Sequence, residues 1–342
     1  LAPRATPGLS RRMTPSRSPG AADVLLVAPI TTPGWRNAVE ELAGSLSRAG
    51  ARVRIASMPT PRRVRTFMLT DLMEAQAARR ACQAGIEAHR PAAIVYCSIT
   101  AALLWPRPGA VWLDSIAAEN RPGRHGLWQR VMERRRLDRA SLVLAMSPGA
   151  LGALKRSPPR AIVVPVPVAP SAHAEAERDI AAVTYAGNPE KKRLRYVLAA
   201  WARARRGHET LVVAGIDRIE APAGVEVAGR LAPEAYRTLL RRARVFVAAP
   251  TREDYGIAPL EALADGCMLV TTPAPGPYPA RELARQLDPR LVSDDLPKAL
   301  RLALDDPVPG YRQHAAALLV PFTREAVDRT VAHDVLPALL SA

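Results

Sequence analysis

The chain has 342 residues, 48% of them apolar and 23% charged, a globular composition at roughly two domains' length. No run approaches the ~18 consecutive apolar residues of a membrane-spanning helix. Three cysteines, Cys82, Cys97 and Cys267, are too few for a disulfide framework and show no metal-ligand spacing, and no secretory leader is recognised, so a cytoplasmic protein is expected.

The formal net charge is +16, and lysine occurs only at Lys155, Lys191, Lys192 and Lys298; every other basic residue is arginine. One reading is compositional drift on solvated helix faces, in a chain with 33 prolines. The other is a functional anion: a phosphorylated substrate, or the inner face of an anionic membrane touched peripherally. The few aromatics (3 Phe, 5 Trp, 7 Tyr) do not interleave with basic runs. Nucleic acid is therefore not an expected partner.

Residues 1–20 read as a disordered basic tail of Pro, Arg, Ser and Gly. Alternation of strands and helices then begins. Strands are expected at Asp23–Ile30, Arg52–Ser57, Ala92–Ser98, Ala110–Ser115 and Ser141–Ser147. Helices are expected at Trp35–Ala49, within Leu69–His89 and near Leu127–Arg139. A last strand at Ala161 runs into a proline-rich linker. The pattern then restarts. Strands are expected at Ala181–Gly187, Thr210–Gly215, Val225–Gly229, Arg244–Pro250 and Cys267–Thr272. Helices are expected at Lys192–Arg205, Pro233–Arg242, Ala258–Ala264, Ala280–Gln286, Leu296–Leu304 and Arg324–Leu340. This is an α/β chain of two Rossmann-like, doubly wound domains, 21–170 and 171–322, with a terminal helix at 323–342. Open parallel sheets bind ligands at the carboxyl ends of their strands, so the cleft between the domains is the expected site.

Two loops carry the chemistry. Gly187–Arg193, GNPEKKR, joins the first strand of the second domain to its first helix. In a chain that otherwise uses arginine, two adjacent lysines at a helix start suit a diphosphate. The plain alternative is a charged first helical turn. The second loop, TREDYGIAPLEALADG from Thr251, carries Glu253 before a helix and Glu261 inside it. A carboxylate there can accept hydrogen bonds from both hydroxyls of a ribose. Gly256 would admit a ligand close to backbone. A structural alternative, acids satisfying the helix dipole, explains one carboxylate more easily than the pair.

EDYGIAPLEALADG resembles the carboxy-terminal signature of the retaining glycosyltransferases of family 4 (glycosyl transferases group 1), which have the GT-B fold. Glu253, Tyr255, Gly256, Glu261, Ala262, Leu263, Ala264 and Gly266 carry the pattern. VTYAGNPEKKRLRYVLAAW is similar to the family's glycine loop and lysine, and VEVAGRL to its strand-Gly-Arg turn. Residues 181–275 match well, and 23–170 mainly in organisation.

The resemblance implies transfer of a sugar, of hexosyltransferase type, from a nucleotide diphosphate sugar to a glycan, lipid-linked or small-molecule acceptor. It implies retention, no metal and no cofactor beyond the donor, and a terminal helix crossing back to the first domain. Glu261 would hold the ribose and Glu253 the donor sugar hydroxyls. Lys192 with Lys191 would take the diphosphate. Gly187, Asn188, Arg230, Tyr255, Gly256 and Ile257 complete the donor side. Asn188 stands where the family often has Arg, and the diphosphate loop PAPGPYP from Pro273 has one glycine, Gly276.

In the first domain Asp114 stands in place of a common His and is a candidate for acceptor orientation or base work, beside the alternative of a turn cap. Thr32, Gly34, Trp35 and His125 are acceptor-side candidates. Trp35 reads equally as a core aromatic, and His125 as a helix-start residue. The other functional readings are an inactive nucleotide-sugar-binding protein of this fold, or a sugar-nucleotide epimerase or phosphorylase.

Overall fold

A computed structural model describes residues 21–29, 33–58, 67–154, 158, 160–170 and 177–341. The tail at 1–20 and Thr32 lie outside them, as does the side chain of His125.

The first lobe opens with β1 (Val24–Pro29), α1 (Pro33–Arg48), β2 (Val53–Met58), α2 (Phe67–His89) and β3 (Ala93–Tyr96). It continues through α3 (Ile99–Ala102), β4 (Ala110–Leu113), α4 (Ala117–Asn120), α5 (Leu127–Leu137), β5 (Val143–Ala145), α6 (Pro148–Gly152) and β6 (Ala161–Val163). These strands form one sheet in the order β2-β1-β3-β4-β5-β6, every pair parallel. β1 reads VLLVAP and is buried throughout, as a central strand covered on both faces must be. β2 is the exposed edge and carries Arg54, a charge that blunts edge pairing.

The second lobe comprises β7 (Ile180–Tyr185), α7 (Leu194–Ala204), β8 (Leu211–Ala214), β9 (Val225–Gly229), α8 (Pro233–Arg242), β10 (Ala243–Ala248), α9 (Ile257–Ala264) and β11 (Met268–Thr271). Then follow α10 (Pro279–Leu287), α11 (Leu296–Asp305) and α12 (Tyr311–Leu318). Its sheet is parallel, in the order β11-β10-β7-β8-β9. The order of strand addition therefore reverses between β7 and β10, which makes the gap between their carboxyl ends the topological switch point. α7 buries Leu194, Val197, Ala200, Trp201 and Ala204, one helical stripe against the sheet. Trp201 also donates its indole N–H to the Gly224 carbonyl at 2.9 Å.

The chain ends in α13 (Arg324–Thr330), a π-helical turn at Val331–Val335 and α14 (Leu336–Leu340). The wider turn lies just before Pro337, which has no N–H to continue an α-helical ladder. This terminal segment packs on the first lobe. Arg324 grips Glu41 of α1 with both terminal nitrogens, at 2.6 and 2.9 Å, and Arg48 of α1 grips Asp328 at 2.6 and 2.8 Å. The expected crossover is present.

Two expectations need correction. The helix expected from Lys192 begins instead at Leu194, because Arg193 adopts a left-handed conformation (φ 48, ψ 47) that halts helix propagation. Lys191 and Lys192 thus sit in a turn ahead of the helix. The helix α12 is not among the expected elements; it is a single short stretch wedged between Pro309 and a 3-10 turn at Val320–Phe322.

Candidate active site

The loop after β7 is stiffened by its own backbone. Asn188 accepts from the Lys191 N–H through its side chain at 3.0 Å and from the Lys192 N–H through its carbonyl at 2.9 Å. The loop after β10 leans on it: the Thr251 N–H donates to the Lys191 carbonyl at 2.9 Å. The two chemistry-bearing loops are therefore one unit at the switch point. Its centre is an ion pair between the Lys192 ammonium and the Glu253 carboxylate. Glu253 is buried at 6% exposure, so this charge needs the ammonium beside it. Lys191 is exposed, and its ammonium acts on Asp114 of the opposite lobe.

The third side of the unit is the PAPGPYP loop. The Glu253 N–H donates to the Pro275 carbonyl at 3.0 Å. Gly276 (φ 108) lies so close that a Cβ there would stand 2.2 Å from the Glu253 carbonyl oxygen, so only glycine fits. Arg281 ties the loop through the Ala274 and Gly276 carbonyls. Across the lobes, a Cβ at Gly149 in α6 would lie 3.1 Å from the Pro277 carbonyl oxygen.

Glu261 is the fifth residue of α9, one turn deeper than a first-turn acid. Its side chain makes no hydrogen bond or ion pair among the described residues. Burial pushes its carboxyl up to about 7, with Arg237 opposing the rise and Asp265 adding to it. Arg237 is held by Asp265 through two bonds, at 2.5 and 2.9 Å. Glu261 is left as an uncommitted, half-buried carboxyl beside a fixed arginine, with its acceptor capacity unspent.

Asp114 directly follows β4 and faces the second lobe. Burial, with Asp254 adding to it, raises its carboxyl to about 7, while Ser115 and Lys191 pull the other way. The lobes are joined nearby, where Arg252 donates to the Glu119 carboxylate of α4 at 2.7 Å and to the Asp254 carboxylate at 2.7 Å. On the far wall Ile257 reaches Gly34 of α1, whose Cβ position would be 3.7 Å from the Ile257 methyl.

Several sequence candidates take other places. Tyr255 has its buried hydroxyl committed within the fold: it donates to the Val166 carbonyl at 3.0 Å and accepts from the Val166 N–H at 2.9 Å, pinning α9 to the interlobe linker. Gly256 is a left-handed N-cap (φ 81) packed on Glu253 and Tyr278, so the turn itself requires glycine. Trp35 meets Trp112 edge-on with ring centres 6.5 Å apart and packs against the core. Gly187 packs against the Tyr185 ring at the end of β7. Arg230 ends β9, exposed and paired with Asp217, two strands from the switch point. His125 lies in the 3-10 turn Arg124–Gly126. Arg252, Glu119 and Arg281 were not singled out from the sequence, where a chain rich in arginine gives no signal for one guanidinium over another. Among the described residues no His, Cys, Asp and Glu cluster has the makings of a metal site, and no helix is long and apolar enough to cross a membrane.

Residues 178–306 match the family model described as Glycosyl transferases group 1. The match spans most of the second lobe. No curated protein sequence matches the chain significantly. Solved structures do. A sucrose-phosphate synthase from Thermosynechococcus elongatus is similar over 93% of this chain and 99% of its own, at 16% identity and a TM-score of 0.64. WaaG, a glycosyltransferase involved in lipopolysaccharide biosynthesis, is similar over 93% and 97%, at 14% identity and a TM-score of 0.63. Anabaena HepE, solved in complex with UDP and glucose, is similar over 91% and 98%, at 15% identity and a TM-score of 0.59. These likenesses establish the GT-B fold for the chain, with two facing Rossmann-like lobes.

Proposed function

We propose that the protein transfers a sugar, of hexose type, from a nucleotide diphosphate sugar to an acceptor hydroxyl, with retention and without a metal. The observation that carries this reading is the Lys192–Glu253 pair at the switch point of the second lobe, inside the group 1 match, with Lys191 beside it and Asp114 opposite. Donor entry exchanges partners. The diphosphate takes the Lys192 and Lys191 ammonium groups, and Glu253, released, accepts from donor sugar hydroxyls. Glu261 accepts from the ribose. As the glycosidic bond breaks, negative charge grows on the nucleoside diphosphate, and the two ammonium groups stabilise that charge at the moment it develops.

Asp114 projects from the acceptor lobe with a carboxyl that ionises near neutrality. At pH 7 it holds or releases a proton readily, which suits it to orient an acceptor hydroxyl or to accept its proton. The acceptor is a glycan, a lipid-linked sugar or a small molecule. Gly34, at the start of α1, is the part of the first lobe that meets Ile257. The +16 charge is compatible with peripheral contact between the protein and an anionic inner membrane face.

A panel of UDP-, GDP- and ADP-sugars, assayed for nucleoside diphosphate release with mixed acceptors in the presence of EDTA, tests the proposal. Release from one donor class, lost in Asp114→Asn and Glu253→Gln, is expected. No release from any donor, or activity that appears only on adding divalent metal, would count against it.

A further inference from the structure

The helix α5 buries polar residues and exposes apolar ones. Its sequence, LWQRVMERRRL, places Leu127 and Val131 one turn apart on one side, and Gln129 and Glu133 one turn apart on the other. The polar pair faces inward: Gln129 is 2% exposed, and Glu133 is buried with it. The apolar pair faces water, and Leu127, at 58%, is the most exposed large apolar side chain among the described residues. An ordinary surface helix does the reverse.

Specific bonds hold α5 in this orientation. Gln129 donates to the buried Asp71 carboxylate of α2, and Glu133 accepts from the Ala117 N–H of α4 at 2.6 Å. Arg130 and Arg136 donate to the Arg121 and Leu103 carbonyls at 2.5 and 2.9 Å. The rotation of the helix is therefore fixed, and the outward apolar pair follows from it.

That outward side is basic around its apolar centre. Arg134 and Arg135 follow Val131 at three and four residues, on the same side, and Arg124 and Arg139 stand beyond the two ends of the helix. All four are exposed, and none has an ion pair among the described residues. Asp138, the C-cap, is the exposed acid of this segment and is outnumbered. Burial, and then the guanidiniums of Arg139, Arg135 and Arg79, hold Arg136 below its ordinary value, so positive charge accumulates here and α2 adds to it.

An apolar pair flanked by arginines fits one kind of boundary. Leucine and valine reach the acyl edge of a bilayer, while guanidiniums on long stems meet the anionic headgroups. A polynucleotide would use the arginines and leave the apolar pair in water. A second copy laid face to face on this side would set arginine against arginine.

We infer that the outward side of α5 docks on an anionic lipid bilayer. The inference rests on the peripheral membrane contact proposed for the protein and assigns that contact a face. The bond to Ala117 fixes α5 to α4, which also carries Glu119, the partner of Arg252 across the lobes. The docked face therefore belongs to the acceptor lobe, beside the cleft.

The test is cosedimentation at low salt with vesicles of phosphatidylcholine alone and of phosphatidylcholine mixed with phosphatidylglycerol. The native protein is expected to bind the mixed vesicles at least tenfold more tightly. Leu127→Ser with Val131→Ser weakens that binding at least tenfold, and so, separately, does Arg134→Gln with Arg135→Gln. Arg203→Gln with Arg218→Gln, exposed on the second lobe and equal in charge change, leaves it within about twofold. Circular dichroism confirms that each variant is folded, and if the serine pair is not, the arginine pair decides. Sugar transfer to a soluble acceptor, measured alongside, is expected to be the same in all of them. No binding of the native protein to mixed vesicles overturns the face and the peripheral contact together, whatever the transfer assay gives. Binding unchanged in both face variants, or weakened as much by the second-lobe pair, overturns the face alone. Self-association in sedimentation velocity that is lost in the serine pair, with no vesicle binding, assigns this side to a second copy and overturns the inference.

Discussion

The Lys192 ammonium rests on the Glu253 carboxylate, joining the loop after β7 to the loop after β10 at the point where the strand order of the second sheet reverses. Each group was expected from the sequence to serve a different part of a donor molecule. The structure shows them serving each other. If donor entry exchanges these partners, the pair competes with the diphosphate. Glu253→Gln removes the competing charge while keeping the shape. Its affinity for a nucleoside diphosphate, measured by calorimetry, is expected to rise severalfold while sugar transfer falls at least a hundredfold. Unchanged affinity together with unchanged transfer would separate Glu253 from the chemistry.

Glu261 should report itself through pH. Its carboxyl is raised to about 7 by burial, so in the free protein it is about half ionised at neutrality. A carboxylate accepts from both ribose hydroxyls, whereas the protonated form has lost part of that capacity. Nucleoside diphosphate affinity is therefore expected to rise between pH 6 and 8 in the native protein. In Glu261→Gln it should be about tenfold weaker at pH 8, with that component of the pH dependence gone. A matching 2′-deoxynucleotide should show little difference between the two proteins. Parallel pH profiles would detach Glu261 from the ribose.

Stability should depend on pH through a different carboxyl. Glu133 of α5 is buried at 5% exposure, and its carboxylate accepts from the Ala117 N–H at 2.6 Å. Burial nonetheless raises it to about 7. The folded state thus binds this proton more tightly than the unfolded chain does. Its contribution is complete below the unfolded value near 4.5 and is lost as pH rises through 7. Asp114 and Glu261 act in the same sense. Unfolding free energy from urea titrations is expected to fall across that window. Glu133→Gln should flatten the slope by up to about 1.4 kcal/mol per pH unit. Identical slopes would contradict the assignment.

The fold was readable because its signals are redundant. Buried runs such as VLLVAP, with glycine stops and helical stripes such as Leu194, Val197 and Trp201, each point to the same doubly wound layer. The two central loops were readable because they sit at strand ends and break composition, two lysines in an arginine chain. Tyr255 was misplaced because a motif states which residue is present and not which way it turns; its partner Val166 is 89 positions away. Arg252 was invisible for the same reason: its partner Glu119 lies 133 positions upstream, and only the packing of the two lobes brings them together. Arg193 ended the expected helix register through a backbone angle that side-chain periodicity does not encode.

The measurement that bears most directly on the account is the dissociation constant of UDP, GDP and ADP for the native protein and for Lys192→Ala, with EDTA present. One of the three is expected to bind the native protein saturably, and the variant, still folded, to bind it at least tenfold more weakly. Equal affinity in the two proteins for whichever nucleotide binds would contradict it.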